Sequence, residues 1–138
     1  FEYFQQGEAQ LTPSYTSMSD ITLTLLKMAF DYEAIQNQRR INYQALNQKL
    51  SQFAIISGLT ENITPLGFPI RIDHRDQIRH ALFKKDIYPP IHWTITGIVP
   101  DKYSESHQLS QDMMTLPCDQ RYSEEDMTYL ADTLLELI

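Results

Sequence analysis

The chain has 138 residues, of which 42% are hydrophobic and 11% aromatic, and a formal net charge of −7. That length and apolar content suit one domain with a real core and exclude a disordered chain. The acidic balance, with no basic cluster beyond Arg39-Arg40 and Lys84-Lys85, argues against a nucleic-acid surface. No run of about 18 apolar residues is present to span a membrane. The start at Phe1-Glu2-Tyr3-Phe4 has neither the basic nor the apolar region of a signal peptide. The expected compartment is therefore cytoplasmic. The missing initial Met fits a processed or excised fragment. Cys118 is the sole cysteine, so no disulfide framework or thiolate metal set can form, and His74, His80, His92 and His107 lack metal-ligand spacing.

Residues 1–16 mix aromatics, Gln and a Pro13-Ser14 turn signal without periodicity, and read as a linker or leading segment. Ser17-Met18-Ser19-Asp20 offers N-cap oxygens for a short helix to about residue 30, with Ile21, Leu25 and Met28 on its apolar face. A longer amphipathic helix is predicted over roughly 32–53, because Ile35, Asn42, Leu46, Leu50 and Phe53 fall at helical spacing. Phe68-Pro69-Ile70-Arg71-Ile72 reads as a strand whose early proline marks a start or an edge. Asp73 is the expected cap of a helix over about 74–85.

Tyr88-Pro89-Pro90 stops that helix and forces an extended path. His92-Trp93-Thr94-Ile95 is a candidate second strand, 97–106 a loop and 107–114 a short helix. Leu116-Pro117-Cys118 then reads as a buried turn. Ser123 followed by Glu124, Glu125 and Asp126 is a strong helix start, with acids at the positive end of the dipole. Met127, Leu130, Leu134 and Leu137 repeat on one face behind it. Five helices and three or four short strands make an α+β domain: a small, mostly antiparallel sheet with helices packed on one side.

Two stretches invite a functional reading. Arg39-Arg40-Ile41-Asn42-Tyr43 sits on the long helix, where two arginines can simply pair with nearby acids. In Tyr88-Pro89-Pro90-Ile91-His92-Trp93 two prolines fix the backbone, so the flanking rings can be presented with little entropy loss. The alternative is a proline turn in which His92 caps a strand and Trp93 fills the core. No nucleophile–base–acid set, glycine-rich phosphate loop or metal site can be argued from the remaining residues.

Taken in order, these stretches resemble the C-terminal part of the DegT/DnrJ/StrS family of fold-type-I sugar aminotransferases, over about residues 15–138. The Arg39/Arg40-to-Tyr43 and Leu46 segment matches an Arg-x-x-Asn-Tyr-x-x-Leu-like helix. Phe68-Pro69-Ile70 matches its strand and Arg75-Asp76 the next helix start. Ile87-Tyr88-Pro89-Pro90-Ile91-His92 matches its proline segment. Leu109-Ser110, Leu116-Pro117 and Ser123 through Met127 match its ending. Trp93 departs from the usual hydrophobic stretch after the histidine, which places the chain in a divergent branch.

The resemblance implies the small domain of a pyridoxal-phosphate-dependent enzyme acting on a keto-sugar nucleotide. Such a domain closes over an active site held by a large cofactor-binding domain, in an enzyme that is a homodimer. It also implies that His92, Tyr88 and Trp93 contact substrate. This chain alone carries no Schiff-base lysine motif, since Lys27, Lys49, Lys84, Lys85 and Lys102 all lie outside that context. It is therefore expected to hold no cofactor-binding residue and to catalyse nothing by itself. Two alternatives stay open: a non-catalytic interaction module with the same fold, and part of a sugar dehydratase using the same cofactor.

Overall fold

The computed structural model describes residues 6, 7, 10 and 17–138. Most of the 1–16 leading segment lies outside the described residues. The chain divides into two compact units, Phe1–Asp31 and Tyr32–Ile138. The described element of the first is helix α1 (Asp20–Met28), capped by Ser19, whose Oγ accepts from the Thr22 amide at 3.2 Å. It buries none of its own residues, and Ile21 is 74% exposed.

The second unit opens with α2 (Tyr32–Leu50), whose Asn42, Tyr43, Ala45, Leu46 and Leu50 face inward. It ends at Leu50 rather than 53 because the backbone of 53–55 is used elsewhere. The Ile55 amide donates to Pro69 O at 3.0 Å and the Arg71 amide to Phe53 O at 2.8 Å, which lays this segment along strand β1 (Phe68–Arg71).

β1 pairs antiparallel with β2 (Met113–Leu116), Phe68 opposite Leu116 and Ile70 opposite Met114. The Thr115 amide points away from β1 and donates to Pro90 O at 3.1 Å. Pro69 and Thr115 thus form a pair without mutual backbone bonds, and the absent Pro69 N–H removes no β1–β2 bond. Gly67 is fixed by close approach: a Cβ there would lie 2.4 Å from Thr115 Cγ2.

α3 (Arg75–Phe83), α4 (Ser104–Asp112) and α5 (Glu124–Leu135) complete the unit. Phe68, Ile70 and Ile72 alternate along one strand, and Met114, Leu116 and Cys118 along the other. All six are buried, in one core with Tyr43, Leu46 and Leu50 of α2, Ile78 and Leu82 of α3, and Met127, Leu130 and Leu134 of α5. This is the α+β class that the sequence predicts, with two antiparallel strands among the described residues where the sequence suggests three or four. Ser123 caps α5 in a full capping box with Asp126, and Leu137 is half-buried against the core.

Several boundaries differ from the sequence expectation. His92–Ile95 is not a strand, because the proline pair supplies no amides and only Pro90 O joins the ladder. The second strand is Met113–Leu116, expected as helix end and turn. The chain passes from Asp112 straight into extended backbone at Met113 (φ −89, ψ 143) with no glycine or proline to mark the change. The 97–106 stretch is not all loop, since α4 begins at Ser104 and ends at Asp112, ahead of the expected 107–114. Asp73 is not a cap. That position falls on His74, which is left-handed (φ 55) and makes no side-chain capping bond.

Candidate functional site

The proline segment leaves α3 through a Schellman closure. Asp86 is left-handed (φ 58), the Ile87 amide donates to Leu82 O at 3.1 Å, and the Asp86 amide donates to Phe83 O at 3.2 Å. Ile87 and Leu82 are both buried, which supplies the apolar contact of that motif.

Three elements then grip the backbone. Arg79 Nε of α3 donates to Pro89 O at 2.7 Å, the Thr115 amide of β2 to Pro90 O, and Ser110 Oγ of α4 to Trp93 O at 2.9 Å. Pro89 itself is fully buried. Ile91 packs against the core, whereas the three rings of the segment turn outward: Tyr88 is 61% exposed, Trp93 67%, and His92 is exposed as well.

His92 and Trp93 form a ring pair with centroids 5.8 Å apart. Trp93 is therefore not a core residue, and His92 caps no strand. Tyr88 is not part of that pair. Its ring lies 5.3 Å from Phe83, which also carries the Arg79 guanidinium at 4.5 Å, and its hydroxyl donates to Asp86 Oδ1 at 3.1 Å. That bond to a carboxylate pushes the phenol pKa up.

The long-helix motif has the opposite character. Arg39 donates to Gln120 Oε1 at 2.8 Å and Pro65 O at 2.9 Å, and Arg40 to Thr60 O and Ile63 O. The arginines bind loop carbonyls rather than acids, which corrects the expected ion pairing. Asn42 is fully buried. It donates to Asp119 O and Tyr122 O, both at 2.9 Å, and accepts from Gln38 at 3.0 Å. The Tyr43 hydroxyl donates to Ile56 O and its ring meets Phe68 edge-on. Arg75 is likewise a staple, donating to Ser110 O and Met113 O.

Arg79 and Asp86 have no motif to mark them, a helix stop without glycine before Tyr88 being the available sign; Ser110 lies in the Leu109-Ser110 segment, but nothing local there marks it as the group that holds Trp93. Buried Asp112 accepts from Gln108 and Arg71, and those bonds hold its carboxyl below the usual range, the Gln108 bond foremost. Burial pushes the Cys118 thiol up to about 11, so it stays protonated and unreactive. An open cleft of about 920 Å³ runs past Phe53, Ile55, Arg71, His74 and Ile138, and neither Tyr88, His92 nor Trp93 lines it.

Among the described residues no group of three His, Cys, Asp or Glu could hold a metal, and no helix is long and apolar enough to cross a membrane. Lys27, Lys49, Lys84, Lys85 and Lys102 are all exposed; Lys49 is paired with Asp132 and Lys102 lies over Tyr103. None offers the enclosed amine that a covalently held aldehyde cofactor needs.

No protein-family model matches the chain, and no curated protein matches it by sequence. Solved structures do. Spr1654 of Streptococcus pneumoniae, a protein assigned as a sugar aminotransferase, matches in its PMP form with TM-score 0.77 and 19% identity. That match covers 92% of this chain and 37% of Spr1654. A DegT DnrJ EryC1 StrS aminotransferase from Brucella abortus matches with TM-score 0.66 and 15% identity, over 92% of this chain and 40% of its own. The aminotransferase TlmJ from Streptoalloteichus hindustanus matches with TM-score 0.52 and 16% identity, over 85% of this chain and 34% of its own. The likeness is one of fold, and the chain spans about two-fifths of these structures at most.

Proposed function

We propose that the chain, 1–138, is the C-terminal small domain of a pyridoxal-phosphate-dependent aminotransferase of the DegT/DnrJ/StrS kind, acting on a keto-sugar nucleotide. The observation that carries this reading is the fold likeness of 92% of this chain to only 37% of a sugar aminotransferase. A larger part supplying the cofactor is the natural complement. Pyridoxal phosphate, held by that large domain, supplies the electron sink for amino transfer.

In this reading the small domain closes over the substrate and the clamped proline segment supplies its contacts. His92 donates a hydrogen bond to a phosphate or sugar oxygen. Trp93 and Tyr88 pack on apolar sugar faces, and the grip of Arg79, Thr115 and Ser110 lowers the entropy lost on binding. The full enzyme is cytoplasmic and a homodimer.

The test is amino transfer by the full-length protein from a panel of amino acids to keto-sugar nucleotides. Cofactor-dependent turnover supports the reading; a full-length protein that binds no pyridoxal phosphate sinks it. In parallel, borohydride treatment of this chain with the cofactor should trap no stoichiometric adduct at any single lysine.

A further inference from the structure

Ile21, Leu25 and Met28 fall at i, i+4 and i+7 along one face of α1, and they stand 74%, 55% and 82% exposed. The apolar residues of α2, α3 and α5 are buried in the core, so the open stripe sets α1 apart from them. Single exposed apolar side chains are ordinary, whereas a row of three on one helix face marks a surface that something covers.

The helix is otherwise built to form. Ser19 caps it, Asp20 stands in its first turn and Lys27 in its last, each at the end of the dipole that favours its charge. Its nine residues are nevertheless fewer than the about 12–15 at which a helix holds in water by itself. Packing of an amphipathic face supplies most of the stability of so short a helix. The stripe therefore requires a partner surface.

Size and tether decide what that surface is. By the helical rise and diameter, half the cylinder of a helix this long covers on the order of 200 Å². A stable contact between separate molecules buries about 800 Å² per partner, so this face is too small to hold a second copy unaided. A partner in the same polypeptide needs far less area, because the tether keeps it at roughly millimolar effective concentration. The reading above supplies such a partner: 92% of this chain covers only 37% of Spr1654, and the part that holds the cofactor precedes Phe1. We propose that the stripe of Ile21, Leu25 and Met28 docks α1 onto that preceding part of the same polypeptide. The inference rests on that reading for the existence of the preceding part, and not for its chemistry.

The test is thiol labelling and photo-crosslinking in the full-length protein. Met28→Cys should label roughly tenfold more slowly than Lys27→Cys, which lies on another face of the same helix, each rate taken relative to the protein unfolded in denaturant. Cys118 is buried and protonated, and does not compete. Ile21→Asp should restore fast labelling of Met28→Cys with helix content unchanged by circular dichroism; if that variant fails to fold, Ile21→Ser gives the same readout. A benzophenone side chain placed at Leu25 should, on irradiation, give a product of monomer mass linked to a peptide that precedes Phe1.

Equal labelling at the two positions overturns the proposal, as does slow labelling that Ile21→Asp and Ile21→Ser leave unchanged. A crosslink of dimer mass assigns the stripe to a second copy, and one within 1–138 to this chain's own residues; either overturns the proposal, and so does no crosslink at all. Labelling is read without substrate or cofactor, so a full-length protein that shields Met28 yet binds no pyridoxal phosphate sinks only the amino-transfer reading. Turnover with an open Met28 sinks only this inference.

Discussion

Arg39–Tyr43 and Tyr88–Trp93 are the two stretches where polar and aromatic residues concentrate, and they use those residues in opposite ways. In the first, four side chains turn inward or sideways and bind the backbone carbonyls of two loops, 51–67 and 117–123. In the second, the backbone is what is gripped, by Arg79, Thr115 and Ser110; Pro89 and Ile91 pack inward, and the rings of Tyr88, His92 and Trp93 are left exposed. Both stretches match a family motif, so the motif alone does not separate scaffold from site. The direction of the hydrogen bonds does: a side chain that satisfies its own protein's carbonyls builds the fold, and one held out by a clamped backbone is available to a ligand.

The contrast can be broken by stability measurements, with a core truncation setting the scale. Leu134→Ala should cost about 2–5 kcal/mol in chemical denaturation, as buried leucines do, and Leu130→Ala a similar amount. A loss below about 0.5 kcal/mol for both would mean that α5 is not packed on the core. Asn42→Ala comes next, at about 2–3 kcal/mol, because the carbonyls of Asp119 and Tyr122 lose their buried donor. If Asn42→Ala proves as mild as a surface change, the inward reading of the first stretch fails.

A pH series sharpens the comparison at lower amplitude. The Asp112 carboxyl is depressed by its bonds to Gln108 and Arg71, so its stabilisation is present above the unfolded aspartate value of about 3.9 and is lost as pH falls through the lower folded value. Asp112→Asn should flatten that acid limb of the stability curve; an unchanged limb would mean that other carboxylates carry it. Smallest of all, Trp93→Ala should change stability by no more than about 0.5 kcal/mol, as for an exposed side chain.

What the sequence made legible follows the strength of local signals. The α5 start was plain because Ser123 and three acids leave one reading, and β1 was plain because Pro69 sits between apolar residues flanked by breakers. β2 was hidden: Met113-Met114-Thr115-Leu116 has no breaker before it, and its residues suit a helix as well as a strand. Only the pairing with β1, more than forty positions away in the chain, selects extended backbone. Trp93 was open for a similar reason, since its exposure depends on Ser110 holding its carbonyl from another helix. The candidate site was legible as a rigid segment through its prolines, whereas the three groups that grip it, from Arg79, Ser110 and Thr115, come from segments that no local pattern connects.

The central claim is that the proline segment is a platform whose side chains serve a ligand rather than the fold. His92→Ala in the full-length enzyme tests it most directly, with denaturation and steady-state kinetics measured on the same preparation. The account predicts unchanged stability and cofactor binding with a raised KM for the sugar nucleotide. Lost stability with unchanged kinetics in the molecules that remain folded would contradict it.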